Sequence, residues 1–379
     1  MTKLYIAIDE ALAVVSRRNG EWMADLRLVG SQPQCVAVDP LRPQQVYCGT
    51  FDQGLWRSND AGDSWEHAGE GITHKQVMAV AVSAMESVGD SGVVYAGTEP
   101  TALFRSEDCG DTWRELAALR QLPSAPTWSF PPRPYTSHIR WITPDPLVAG
   151  RVFAAVEAGA LLRSLDGGQT WEDRKPGGPF DTHTLVMHRL APDRLYSAAG
   201  DGFMQPGNGF VVSEDGGETW YRPGTGLQHH YLWSVAADPS DPTTIVISAA
   251  RGPQEAHNPR QAESAIYRRS GSPLRDRRSF ASAQDDKSAQ DDKSAQDDKS
   301  TQDDNQGQWQ QVRSGLPEPQ GLLASVLVAH EAEPGVFYAA NNKGVFRSAD
   351  AGSTWEALPI RWPAGTRLGR AHALVAVQD

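Results

Sequence analysis

Residues 213–220 read SEDGGETW. The same plan recurs as SNDAGDSW at 58–65, SEDCGDTW at 106–113, SLDGGQTW at 164–171 and SADAGSTW at 348–355. The residue types suit a tight hairpin. Asp accepts backbone N–H groups within its own turn, and Gly takes positive φ without strain. Ser and Thr hydroxyls add local hydrogen bonds, and Trp covers a sheet face. Each element has a local structural task. The motif therefore reads as a repeated turn rather than five ligand sites.

The segment before each turn also repeats. VYCGTFDQGLWRS (46–58), VVYAGTEPTALFRS (93–106), VFAAVEAGALLRS (152–164), LYSAAGDGFMQPGNGFVVS (195–213) and VFYAANNKGVFRS (336–348) are each two apolar runs around a small or polar tip. An earlier apolar strand precedes most of them, as in CVAVDP (35–40), IRWITPDP (139–146) and SVAADP (234–239). Four-stranded units of roughly 45–50 residues predict propeller blades. Two more units are concealed. AIYRRSG (265–271) and GQWQQV (307–312) supply third and fourth strands, while LYIAID (4–9), ALAVVS (11–16) and GEWMADL (20–26) lack a first strand. RAHALVAVQD (370–379) can provide it. The expectation is one all-β domain over 1–379, a seven-bladed propeller whose C-terminal strand joins the N-terminal strands and removes open edges. Residues 271–306 repeat SAQDDK and carry no aliphatic core residues, so a disordered insertion in a third-to-fourth-strand hairpin is expected there.

The chain carries 47 acidic and 35 basic residues, a net charge of −12. That balance argues against nucleic acid as a partner. No apolar run reaches membrane-spanning length and the N-terminus is not a signal peptide, so neither membrane insertion nor export is expected. Cys35, Cys48 and Cys109 are odd in number and unpatterned. They point to a reducing, cytoplasmic compartment and to no metal or other cofactor. A monomer is expected.

Ser-x-Asp-x-Gly-x-Thr-Trp resembles the Asp-box, or BNR repeat, of sialidases, xyloglucan-type glycoside hydrolases, sortilin-like receptors and a photosystem II assembly factor. The resemblance covers most of the chain outside 271–306. It implies a propeller with the Asp-boxes on the face away from the functional site, and it does not select an activity. The Phe/Tyr-Arg-Ile-Pro motif of sialidases is absent; HIRWI (138–142) is a poor match, and seven blades exceed their usual six.

On a ring, binding sites gather where loops converge near the central channel. Here these are the tips joining strands two and three, with the segments leading into first strands. The tips carry Asp9, Glu99, Glu157, Asp201 and Arg251. The leading segments carry His74, His138 with Arg140, Asp181 with His183, His229 with His230 and Tyr231, and Arg370 with His372. Two long loops join them: 127–138, with Trp128, Phe130, Arg133 and Tyr135, and 251–264, with Glu255 and His257.

Glycoside hydrolysis needs two flanking carboxyl groups. Glu157, Glu99 and Asp201 are the candidates, with desolvation in AAVEAGALL expected to raise Glu157 for general-acid work. His138, Arg140, His183, His230, Arg251 and His257 are expected to orient a ligand, and Trp128 and Trp233 to stack on it. A metal held by His138, His183 and His230 has no diagnostic spacing behind it and is not expected. The functional expectation is a small polar ligand, a carbohydrate, with hydrolysis as an extension. The alternative is a non-catalytic scaffold for a protein partner.

Overall fold

A computed structural model describes residues 1–133, 136–271 and 307–378. Tyr135 and, apart from Gly271, the expected insertion at 271–306 lie outside the described residues. The chain forms seven antiparallel sheets arranged as the blades of a propeller. Blade 1 joins Thr2–Ile8, Ala11–Arg18 and Glu21–Arg27 to the C-terminal strand Ala371–Gln378, in the register Tyr5 to Val375. The ring is thus closed as the sequence predicts. Ile360–Arg361 adds a short parallel fifth strand beside Trp22 and Met23, which the sequence reading did not contain.

Blade 2 begins at Pro33–Val38, blade 3 at Gln76–Val88, blade 4 at Ile139–Pro144, blade 5 at Thr182–His188, blade 6 at Tyr231–Asp238 and blade 7 at Val326–Ala329. In blades 4 and 5 the fourth strand shrinks to the single bridges Arg163–Glu172 and Val212–Tyr221. Pro and Gly follow within a few residues, in WEDRKPGG and WYRPGTG, and cut the pairing short. Second strands form the buried layer. Tyr47, Tyr95, Tyr196 and Phe337 are among their fully buried residues.

The eight-residue turn has one geometry in all five copies. In the copy at 213–220, Asp215 Oδ1 accepts the Thr219 N–H at 2.8 Å and the Ser213 hydroxyl at 2.8 Å. Ser213 Oγ accepts the Gly217 N–H at 2.8 Å, and Trp220 Nε1 donates to Gly217 O at 3.1 Å. The residue before the Gly and the Gly itself are both left-handed, with φ of 68° and 90° at Gly216 and Gly217, and 58° and 82° at Ala351 and Gly352. This accounts for Gly at the second position and for small residues at the first.

The turn also locks the ring. The carbonyl of that first left-handed residue accepts a hydrogen bond from the preceding blade. Arg57 Nη1 donates to Cys109 O at 2.7 Å, Arg163 Nη1 to Gly216 O at 2.6 Å and Arg268 Nε to Ala351 O at 2.6 Å. Arg105 makes a longer version to Gly167 O, 3.3 Å. Blade 1 has no such arginine, and Tyr5 Oη donates to Ala61 O at 2.9 Å instead.

Two predictions follow from the turn. A Cβ on Gly352 would lie 2.5 Å from Val246 Cγ1 of blade 6, whereas one on Gly20, with φ of 85°, meets nothing within 4 Å. Gly20→Ala should cost about 1 kcal/mol from backbone strain alone, and Gly352→Ala clearly more, measured by denaturant midpoint. Equal losses would show that the blade contact adapts freely. Separately, the Ser64 hydroxyl and backbone N–H bring Asp60 down to about 2 from its ordinary 3.8. A lowered folded value stabilises above the unfolded value and is lost as pH falls through the folded one. The stability difference between wild type and Asp60→Asn should therefore be flat above about pH 5 and shrink between pH 4 and 2.

Candidate functional site

The face opposite the turns opens into a cavity of about 870 Å³. Its walls come from blades 2 to 6 and from the closing strand of blade 1. Strand tips and the segments leading into first strands point to the ring axis, so residues from distant parts of the chain meet there.

Glu157 is the hub. His138 Nε2 lies 2.7 Å from its Oε2, and Arg140 Nε lies 3.8 Å from the same oxygen. On the far side, Nδ1 of His138 lies 3.4 Å from Glu99 Oε2. Glu99 is gripped by both Nε and Nη2 of Arg133, at 2.6 and 2.7 Å. His183 Nε2 lies 3.9 Å from Glu157 Oε1 and 3.5 Å from Asp181 Oδ2. His183 is wholly buried, and its Nδ1 meets Leu232 O at 2.6 Å. With a carbonyl there, Nδ1 is the protonated nitrogen.

Burial pushes the Glu157 carboxyl up, but the hydrogen bond from His138 and the positive charge of His138, His183 and Arg140 outweigh it and hold the group well below the usual carboxylate range. The expected rise in its pKa is therefore reversed. Glu157 suits the role of an ionised acceptor or base and not that of a general acid, because the apolar sequence around it packs into the blade while its tip faces cations. Burial pulls His183 down, and the charge of Asp181 and Glu157 more than restores it, so its pKa lies above the ordinary value.

Trp233 organises the second half of the site. The guanidinium carbons of Arg140 and Arg370 lie 4.4 and 4.6 Å from its ring centroid, and His257 meets the ring edge-on at 4.3 Å. Only 3 % exposed, Trp233 is thus a platform for cations and offers no open face for a sugar. Burial and the neighbouring Arg140 bring Arg370 down to about 10. Burial, then the charges of Arg370 and His183, depress His257 well below its ordinary value. Tyr231 Oη bridges His257 Nε2 at 3.1 Å and His183 Nε2 at 3.4 Å. Arg140 Nε, Arg370 Nε and His257 Nδ1 are buried without a hydrogen-bond partner among the described residues.

Besides Trp233, four expected site residues take other roles. Asp201 lines the cavity, but its oxygens accept the N–H groups of Phe180 and Asp181, at 3.1 and 2.9 Å. Burial raises its pKa. Trp128 sits against Gly159 and donates to Ser124 Oγ at 3.0 Å, outside the cavity lining. Arg251 has a largely exposed side chain paired with Glu263 at 3.2 Å, and His230 accepts the Gly207 N–H at 3.3 Å; neither lines the cavity. Asp181, Tyr231, Arg370, His372 and Phe130, placed on this face by the sequence but given no role there, also line the cavity, and Phe180 and Phe203 were passed over. The first four stood beside chosen residues, and position relative to the strand start was their signal. Phe180 and Phe203 had none, since a Phe in a loop does not announce its direction.

No family model and no curated protein matches the chain. Solved structures do match. The GH74 enzyme of Niastella koreensis aligns with a TM-score of 0.62 at 16 % identity, over 93 % of this chain and 52 % of that one. An ancestral GH74 enzyme gives 0.57 at 16 %, over 91 % and 37 %. YCF48 bound to D1 peptide gives 0.53 at 14 %, over 94 % and 85 %. The chain thus spans about half or less of the length of these GH74 enzymes. At such identities the likeness shows the fold alone: this is a seven-bladed β-propeller.

Removing Glu157 would strand the buried groups around it. Glu157→Ala should cost about 3 kcal/mol. A double-mutant cycle with His138→Ala should return a coupling above about 1 kcal/mol. Additive losses would mean that the contact contributes nothing of its own.

Proposed function

We propose that this protein is an Asp-box propeller that binds a small polar ligand, a carbohydrate, in the cavity on the face away from its turns. The supporting observation is the division of that cavity. Its floor is polar, with Glu157, Asp181, Arg140 and Arg370, and its rim is aromatic, with Phe130, Phe180 and Phe203. The unpaired donors of Arg140, Arg370 and His257 suit hydroxyl oxygens. The exposed faces of Phe180 and Phe203 suit the apolar side of a sugar ring. A cavity of this size matches a small ligand.

Binding is better supported than hydrolysis. Glu157 is held ionised by cations, Glu99 is held by Arg133, and Asp201 is engaged with backbone N–H groups. Among the described candidates, none is free and poised to donate a proton to a leaving group. A second reading, a scaffold for a protein partner, draws on the rim. Phe180, Phe203 and Met204 are 42, 53 and 83 % exposed beside the cavity, and YCF48 has been solved with a peptide bound.

A thermal-shift panel of mono- and oligosaccharides tests the first reading. At least one sugar should raise the melting temperature of the wild type. Phe203→Ala and Arg140→Met should each lose most of that rise while keeping the unliganded melting curve cooperative. No shift from a well-folded protein, together with capture of a peptide on the Phe203–Met204 rim, would replace the carbohydrate reading with the scaffold.

A further inference from the structure

The geometry points to a divalent-cation site formed by Glu157, Asp181 and His183 and open to the cavity. One donor atom from each lies within 4.8 Å of the other two. His183 Nε2 stands 3.5 Å from Asp181 Oδ2 and 3.9 Å from Glu157 Oε1. Both separations are longer than the usual range, about 2.7–3.2 Å, of a nitrogen–oxygen hydrogen bond. They fit donors sharing one ion: atoms bound at about 2.0–2.2 Å lie roughly 3–4 Å from one another around it.

Each donor is aimed by a second contact outside the trio. His183 gives its Nδ1–H to Leu232 O at 2.6 Å, which leaves the Nε2 lone pair directed at the two carboxylates. A backbone carbonyl orients metal-binding imidazoles in this way. Glu157 Oε2 is taken by His138 at 2.7 Å, leaving Oε1 towards His183. Asp181 Oδ1 accepts the Ala158 N–H at 2.8 Å, leaving Oδ2 towards His183. In both carboxylates one oxygen is anchored and the other faces His183 Nε2. His183 is wholly buried, and the one hydrogen-bond partner of its Nε2 among the described residues is Tyr231 Oη, at 3.4 Å.

The backbone leaves room for this arrangement. A Cβ on Gly200 would stand 2.0 Å from Asp181 Oδ2 and 3.0 Å from His183 Cε1. One imidazole and two carboxylates suit Zn²⁺ or Mn²⁺. Three protein donors leave further positions of the ion open. Both carboxylates line the cavity, so those positions face it and are available to water or to ligand oxygens. The trio differs from the His138, His183 and His230 set considered from sequence, of which only His183 takes part. The rival occupant is a proton on His183 Nε2, and the stoichiometric titration below separates the two, since an imidazolium takes up no ion. The inference goes beyond the ligand reading and does not need the ligand to be a sugar.

The test uses the full chain, untagged and dialysed against a chelator, then titrated calorimetrically with Zn²⁺ and, separately, Mn²⁺. The expected result is about one ion per chain for at least one metal. Asp181→Asn and Glu157→Gln should each weaken that binding at least tenfold. Their circular dichroism spectra should match the wild type in chelator, and if one variant fails to fold, the other decides. Co²⁺ should give a d–d absorption band that either variant loses. Wild-type protein that binds neither metal stoichiometrically, or variants that bind as tightly as wild type, would overturn the site. The saccharide panel is run on chelator-treated protein. A sugar shift without metal binding would remove the metal and leave the ligand reading, and metal binding without a sugar shift would do the reverse.

Discussion

The ring depends on a carbonyl that has nowhere local to go. Two consecutive left-handed residues in each turn, such as Gly216 and Gly217, swing the first carbonyl out of the hairpin and towards the preceding blade. There an arginine such as Arg163, at the end of that blade's third strand, takes it. The hairpin supplies its own remaining hydrogen bonds through Asp and Ser, so the outward carbonyl is the contact left over for a neighbour. One turn chemistry therefore closes the hairpin and fixes the next blade. Blade 1, which lacks the turn, is held by a different device: pairing of Thr2–Ile8 with Ala371–Gln378.

Placing all rigid turns on one face leaves the other to variable tips. That face can depart from simple packing because the blades beneath it are tied elsewhere. It concentrates Glu157 and Asp181 with Arg133, Arg140 and Arg370 in a partly enclosed space, with Glu99 buried behind Arg133, and each charge there is costly unless another answers it. The observed arrangement answers most of them in pairs, Arg133 with Glu99 and His138 with Glu157. It leaves buried nitrogens of Arg140, Arg370 and His257 unanswered. These unpaired donors mark where an incoming polar group would gain most, since their desolvation has already been incurred in the free protein.

Much of this was legible in the chain. Five copies of the turn gave the blade, and the missing first strand at the N-terminus gave the closure, because a four-strand unit with three strands must find its fourth. The face of the site followed from the alternation of turns and tips. Within that face the reading picked Glu157, His138, Arg140 and His183, which do converge, and it also picked Trp128, His230 and Arg251, which do not line the cavity. Apart from Trp128, in a long loop, these stand near the same ends of strands, and strand position alone does not say which way a side chain turns.

The sequence by itself determined the repeat, the number of blades and which end of each blade carries variable residues, because these depend on local turn chemistry and on a periodicity of residue types. The tertiary structure decided the charge state of Glu157, the occupation of the Trp233 ring by two guanidinium groups and the meeting of Asp181 with His183 and Glu157. Each of these depends on distances between blades that are remote in sequence. Electrostatic effects vary steeply with such distances, and no local pattern in the chain records them.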